Sequence, residues 1–193
     1  MLTKTLIAMV GRAKSGKDTA YELIKELYPE FERIAFADKL KQMTADTLEI
    51  PVENLATEKE KYRPYVIFAG NIFRQYNKEF WVDQLLFENE VTYKSLPTHT
   101  VVTDVRFENE IRGLKQFCDY KGYNFVLLTI RCTKETLLSR GYNESIYDHY
   151  SENLIDRITT DKYRFAQVPN NGSLEQFKNA LQTILPVWLI TEK

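Results

Sequence analysis

The chain is poor in the residues that mark disulfide-stabilised or metal-clustered proteins. Its 193 residues include 2 Cys, 2 His, 7 Gly and 6 Pro. Cys118 and Cys132 are too few and too isolated for a disulfide framework or a zinc cluster. We therefore expect the protein to reside in a reducing cell interior. Because glycine is scarce, a loop bounded by two glycines stands out from its background.

The chain also lacks an excess of charge of one sign and a long apolar run. A net charge of −1 provides no basic field for nucleic acid. No segment approaches the ~20 apolar residues of a membrane span, and the apolar run after residues 1–5 is only as long as a strand. We therefore expect a cytoplasmic protein (host cytoplasm if it is viral) with no nucleic-acid or membrane partner.

What the chain does contain is an alternation of strand and helix patterns. A hydrophobic content of 44% is enough for a core, and the length fits a single domain over 1–193. The alternation predicts an α/β fold: a parallel five-stranded sheet with helices on both faces. We predict a helical section over 49–97, with helices at 59–62, 67–77 and 79–90, and a lid region over 131–157. The predicted strands are 4–10, 32–37, 98–104, 123–132 and 164–169.

The stretch from Gly11 to Thr19 is the most informative motif. It follows an apolar strand and precedes a helical pattern, and it reads Gly11-Arg12-Ala13-Lys14-Ser15-Gly16-Lys17. Strand, glycine-bounded loop, lysine and helix is the context of a phosphate-binding P-loop, whose backbone N–H groups point at phosphate oxygens. A strand-to-helix turn without a ligand is the alternative, and the flanking elements make it the weaker one.

Asp18 stands where this motif normally has the Ser or Thr that binds Mg²⁺. A carboxylate can hold this hard cation directly or through water, and the Thr19 hydroxyl could share the task. The alternative is an Asp that only favours the positive end of the helix dipole. We predict Asp18 and Thr19 as the metal ligands.

Charged residues also follow the other predicted strands, at the sheet edge where ligands bind in such folds. Asp104 and Arg106 close the third strand, and Glu110 follows on the next helix. Asp104 could orient Mg²⁺-bound water or accept from a bound base, and Arg106 could fork onto a phosphate. An Asp–Arg surface pair at the start of the helix is the alternative.

Arginines near the predicted lid and in the helical section complete the set. Arg131 and Arg140 flank the helix after the fourth strand, a placement similar to that of lid arginines in nucleoside monophosphate kinases, although both could be solvated. Arg63 and Arg74 could clamp an acceptor phosphate. Trp81 could offer a stacking surface, but at helical spacing with Leu85 it is more often a core residue.

Together these residues resemble the bacteriophage-type deoxynucleoside monophosphate kinases over most of the chain. In that family Asp after the loop lysine is normal. The resemblance implies a P-loop kinase fold and transfer of the ATP γ-phosphoryl group to a deoxynucleoside monophosphate with Mg²⁺, by a monomer or homodimer. The segments that carry it are Lys14–Thr19, Phe36–Lys41, Gly70–Arg74 with Phe80 and Trp81, Val102–Arg106 with Glu110, and Asn171–Glu175.

The site residues divide into three predicted groups. The catalytic residues are Lys17, Arg131 and Arg140. ATP is expected on Gly11, Lys14, Ser15, Gly16, Lys17, Asp18, Thr19, Asn171, Gly172 and Ser173. The acceptor is expected on Asp38, Lys41, Arg63, Arg74, Trp81, Asp104, Arg106 and Glu110. Two alternatives stay open: a P-loop kinase for another small phosphorylated acceptor, such as phosphomevalonate or dephospho-coenzyme A, and a regulatory protein that binds ATP without turnover.

Overall fold

The computed structural model describes residues 3–89, 92–158, 163 and 165–189. Strands and helices alternate through most of this part of the chain. In chain order they are β1 Thr5–Val10, α1 Lys17–Leu27, β2 Glu32–Ile34, α2 Phe36–Thr47, α3 Asn54–Thr57, α4 Lys59–Tyr76, α5 Phe80–Leu86, β3 His99–Val105, α6 Glu108–Lys121, β4 Asn124–Arg131, α7 Lys134–Ser139, a 3₁₀ turn Glu144–Ile146, α8 Leu154–Arg157, β5 Phe165–Pro169 and α9 Leu174–Leu189.

The strands form one parallel sheet in the order β2-β3-β1-β4-β5. Strand β1 is central, and Ile7 lies opposite Val101 of β3 on one side and Val126 of β4 on the other. Because all strands run the same way, the loops after β1, β3 and β4 emerge at one edge of the sheet. The order reverses at β1, which is where ligands bind in open α/β sheets.

Helices cover both faces of the sheet. Side chains on one face, including Ile7 and Met9, form a core with Phe177 and Leu181 of α9 and with α1. Alternation along a strand directs Leu6, Ala8 and Val10 to the opposite face, where α6 packs on β1 and β4. All six residues of β1 are buried, as expected for the centre of a covered parallel sheet. The predicted α/β fold with a five-stranded parallel sheet is confirmed.

The chain divides into two compact units, one of residues 1–34 with 95–193, and one of residues 35–94. The sheet belongs to the first unit. The second contains α2 to α5, whose core includes Ala45, Leu55 and Tyr62. The helical section predicted over 49–97 falls mostly within this second unit.

The boundaries differ from the sequence prediction in the second unit. The segments predicted at 59–62 and 67–77 are one helix, α4, which runs through Pro64. Proline lacks the N–H for a helical hydrogen bond, so the sequence favoured a break there. Buried Tyr62 and Gly70 lie on either side of Pro64, and we attribute the continuity of the helix to their packing. Similarly, α2 begins at Phe36, inside the strand predicted over 32–37.

Two predicted boundaries, the helix end at Glu90 and the strand start at Arg164, lie outside the described residues. Within the described ranges, every helix is too short or too polar to cross a membrane.

Candidate functional site

The loop between β1 and α1 is held tightly by its neighbours. A Cβ on Gly11 would lie 2.5 Å from Ser15 Oγ and 2.9 Å from the Ile130 carbonyl oxygen, so only glycine fits. Gly16 caps α1 with a φ of 95°, and a Cβ there would lie 2.4 Å from Asn170 Nδ2. Both glycines are therefore required by the shape of the loop.

Lys17 is folded back onto the loop. Its Nζ donates to the carbonyl oxygens of Gly11 at 2.7 Å and Arg12 at 3.0 Å. Burial, and to a smaller extent the positive charge of Arg106, lower the pKa of this ammonium to about 8, although Glu152, Asp18 and Asp104 oppose the shift. Lys17 and Arg106 are thus two cations close enough to repel each other at the same edge of the sheet.

Arg106 follows β3, and Glu110 holds its backbone. Glu110 Oε2 accepts from the N–H of Arg106 at 2.7 Å and of Phe107 at 3.1 Å. This carboxylate is 2% exposed and closes the N-terminus of α6. Glu110 therefore positions Arg106, while its predicted contact with an acceptor stays a prediction.

The side chain of Glu152 reaches both the loop and Arg106. Its Oε2 accepts from the backbone N–H of Ala13 at 2.7 Å, and its Oε1 pairs with Arg106 Nη1. Tyr142 Oη lies 3.4 Å from Oε2. The Glu152 side chain is only 4% exposed. A buried carboxylate thus accepts from a loop N–H group and from an arginine at the same time.

Arg12 ties the loop to the segment over 142–157. It donates to the Tyr147 carbonyl oxygen and to Asp156 Oδ2, both at 2.5 Å, and its guanidinium lies 3.7 Å from the centre of the Tyr147 ring. Although it lies in the phosphate-binding motif, its side chain is buried and turned towards this segment. Arg12 is therefore an anchor for the predicted lid region.

The two predicted lid arginines have different surroundings. Arg131 donates to Gln167 Oε1 at 2.9 Å and the Ile155 carbonyl oxygen at 2.8 Å, and lies 3.5 Å from Asp156. Arg140 lies 3.4 Å from both Cys132 Sγ and Asn170 Oδ1, and Asn170 also donates to Ser15 O. Arg140 is thus near the loop after β1, whereas Arg131 holds the end of the predicted lid region. Their catalytic roles stay predictions.

The turn predicted to contact ATP joins β5 to α9. Asn171 Oδ1 accepts from the Thr133 N–H at 2.8 Å. Ser173 caps α9, because its Oγ accepts from the Gln176 N–H and Gln176 Oε1 accepts from the Ser173 N–H. A Cβ on Gly172 would meet the Gln176 side chain. These contacts shape the turn, and its role in nucleotide binding stays a prediction.

The donor set near Lys17 fits a divalent cation of the Mg²⁺ type. Asp18 and Thr19 are exposed in the first turn of α1, and Lys14 is exposed in the loop before them. Asp18 and Asp104 both raise the pKa of Lys17, so both carboxylates lie near its ammonium group. Hard oxygen donors of this kind are the ligands that Mg²⁺ prefers.

The remaining predicted acceptor residues lie in the second unit, which we describe by itself. Asp38 and Lys41 lie on α2, and Arg63 and Arg74 on α4. Arg74 Nη1 donates to the Gly70 carbonyl oxygen at 3.0 Å.

Trp81 lies on α5 and is 2% exposed. Its Nε1 donates to the carbonyl oxygen of Gly70 at 3.0 Å, and its ring makes edge contacts with Phe73 and Phe80. These contacts favour the core interpretation of Trp81 over a stacking surface for an acceptor.

Sequence reasoning missed the roles of Arg12, Glu152 and Asn170. Glu152 lies three residues after His149, one of the two histidines of the chain, whose Nδ1 meets Ser151 Oγ at 2.8 Å. Glu152 lies 139 residues from Ala13 along the chain. No local pattern signals such a contact.

No protein-family model and no curated protein sequence matches the chain. Among solved structures it is similar to a candidate kinase from Chloroflexus aurantiacus, with 11% identity, a TM-score of 0.49 and coverage of 97% of this chain and 99% of that one. It is also similar to a gluconokinase from Sinorhizobium meliloti 1021, with 14% identity, a TM-score of 0.47 and coverage of 97% and 95%. At these scores neither similarity adds to the argument, which rests on the sheet and the site.

Proposed function

We propose that the chain is an ATP-dependent phosphotransferase that moves the γ-phosphoryl group of ATP to a deoxynucleoside monophosphate. One observation carries this proposal: the Glu152 carboxylate accepts from the Ala13 N–H of the glycine-bounded loop and pairs with Arg106, so two cations, Lys17 of the loop and Arg106, flank one anion position. Concentrating two cations is costly unless an anion binds between them. Transferring phosphoryl groups are such anions.

The chain's own residues supply binding and charge neutralisation. The loop N–H groups and the N-terminus of α1 receive phosphate oxygens, and Lys17 exchanges its two carbonyl partners for them. Arg106, held by Glu110 through its backbone, receives the acceptor phosphate. No strong general base is needed, because the acceptor phosphate is already an anion.

Mg²⁺ is the proposed cofactor, with Asp18 and Thr19 as its protein ligands and Asp104 nearby. Bound together with ATP, this cation would neutralise the charge that develops on the phosphate oxygens. For the deoxynucleotide acceptor the support is the sequence resemblance, which also implies that Arg74 lies near the acceptor. We propose Asp38, Lys41 and Arg63 as further acceptor-binding residues.

A coupled assay for ADP formation tests the proposal. The panel contains the nucleoside and deoxynucleoside monophosphates, phosphomevalonate and dephospho-coenzyme A. We expect turnover with at least one deoxynucleoside monophosphate and a loss of more than about a hundredfold in Lys17→Ala. Turnover only with phosphomevalonate or dephospho-coenzyme A would show that this compound, and not a deoxynucleoside monophosphate, is the acceptor. ATP binding without any turnover would make the chain a nucleotide-binding regulatory protein.

A further inference from the structure

The environment of Glu152 has the composition of an anion site that is already filled. Ala13 donates its backbone N–H to the carboxylate, Arg106 pairs with it, and the side chain is almost fully buried. Backbone N–H groups of a glycine-bounded loop together with an arginine are the donors that proteins use for phosphate. Here a carboxylate of the same chain receives them.

We propose that Glu152 is an internal substitute for a substrate phosphate: its carboxylate occupies donors of the loop and Arg106 in the nucleotide-free chain, and a phosphate group displaces it. This inference rests on the proposed function, because it identifies the ligand of the same loop as a phosphate. It adds that the affinity for this ligand is limited by competition with a residue of the lid region.

The negative charges of the two groups are the first reason why Glu152 and a phosphate compete for the same donors. A carboxylate and a phosphate oxygen both accept charge-assisted hydrogen bonds, and one N–H of Ala13 cannot direct its bond at both. Two anions at this position would also repel each other. An ATP phosphate at the Ala13 N–H therefore requires Glu152 to move away, which also frees Arg106 for the acceptor phosphate.

The second reason is that the segment has a separate anchor. Arg12 holds Tyr147 and Asp156, on either side of Glu152 in the sequence, through bonds that do not involve Glu152. Arg131 adds a bond to the Ile155 carbonyl oxygen. The Glu152 side chain can therefore leave the loop while the segment over 142–157 stays attached, and it can return when the phosphate departs.

Glu152→Gln tests the competition, because it keeps the size of the side chain and removes its charge. Binding of MgATP and of inorganic tripolyphosphate is measured by calorimetry. We expect both ligands to bind about tenfold more tightly to the variant, because a neutral amide competes less well for Arg106 and the loop N–H. A purely structural role for Glu152 predicts weaker binding, since loss of a buried ion pair disturbs the site.

Glu144→Gln is the matched control. Glu144 lies in the same segment and pairs with exposed Lys134 at 2.6 Å. It undergoes the same charge change, and we expect unaltered affinities. If both variants bind the ligands more tightly to the same extent, the change in net charge explains the effect and the proposal is overturned.

The outcomes distinguish a failure of the Glu152 competition from a failure of the proposed function. If the wild type binds MgATP and Glu152→Gln binds it equally or more weakly, the competition is wrong and the proposed function stands. If the wild type binds neither MgATP nor tripolyphosphate, both are overturned.

If Glu152→Gln does not fold, NMR of the wild-type protein tests the displacement instead. Tripolyphosphate should shift the ¹³C signal of the Glu152 carboxyl group together with the amide signal of Ala13. An unchanged Glu152 signal beside shifted loop amides would contradict the displacement.

Discussion

At the scale of the residue, the charge of Lys17 depends on pH in the range where proteins are commonly studied. Burial and Arg106 lower the pKa of its ammonium to about 8 in the ligand-free chain. Phosphate stabilises the charged form and raises this pKa, so binding above pH 8 must be accompanied by proton uptake. We expect the Kd for ATP to increase more than about tenfold from pH 7.5 to 9.5.

Calorimetry in two buffers of different ionisation enthalpy at pH 8.5 measures the proton uptake. It should vanish in Lys17→Ala, whose weaker binding should be almost independent of pH over this range. Lys115→Ala is the control, because Lys115 pairs with Asp119 on the surface of α6. Proton uptake that persists in Lys17→Ala would assign the titration to another group.

At the scale of the element, two glycines with left-handed backbone allow a matched comparison. Gly16 precedes α1 with φ 95°, and Gly122 ends α6 with φ 71°. A Cβ on Gly122 would have no neighbour within 4 Å, so Gly122→Ala should cost only the backbone strain, about 1 kcal/mol.

Gly16→Ala should cost about 3 kcal/mol, because the new Cβ also clashes with Asn170 Nδ2 and disturbs its 2.9 Å bond to Ser15 O. Urea unfolding measures both free energies. Only Gly16→Ala should weaken ATP binding as well. If Gly16→Ala and Gly122→Ala lose the same free energy of unfolding, Asn170 moves away from the new Cβ in Gly16→Ala without cost.

At the scale of the whole molecule, buried Arg12 is one of the side chains that hold the segment over 142–157 to the sheet. Arg12 connects Asp156 and Tyr147 to the loop after β1. Arg12→Ala should lower the free energy of unfolding by about 2 kcal/mol, because it removes a buried charged hydrogen-bond donor. Amide hydrogen exchange over 142–157 should become faster.

Lys134→Ala is the comparison for this prediction. It removes the exposed ion pair between Lys134 on α7 and Glu144 of the segment, at 2.6 Å, and exposed pairs contribute little. Exchange over 142–157 should therefore be unchanged in Lys134→Ala. If Arg12→Ala also leaves exchange unchanged, other contacts of the segment hold it to the sheet.

Local patterns predicted the elements that local interactions stabilise. The strand predicted over 4–10 is β1, and Gly122 and Ser173 are residue types that commonly end or cap helices, as they do at α6 and α9. The pattern was wrong where packing opposes it, as at Pro64, which lies inside α4. Propensity is a weak guide where buried neighbours decide.

The sequence by itself determined the α/β fold, the glycine-bounded loop and the presence of charged residues after the strands, because periodicity and glycine spacing are local properties of a chain. Tertiary structure alone decided which of these charges meet. It turns Arg12 away from the loop opening, buries Trp81, and brings Glu152 to Ala13 from 139 residues away. Contacts of this kind depend on how the elements pack, and no spacing in the sequence encodes them.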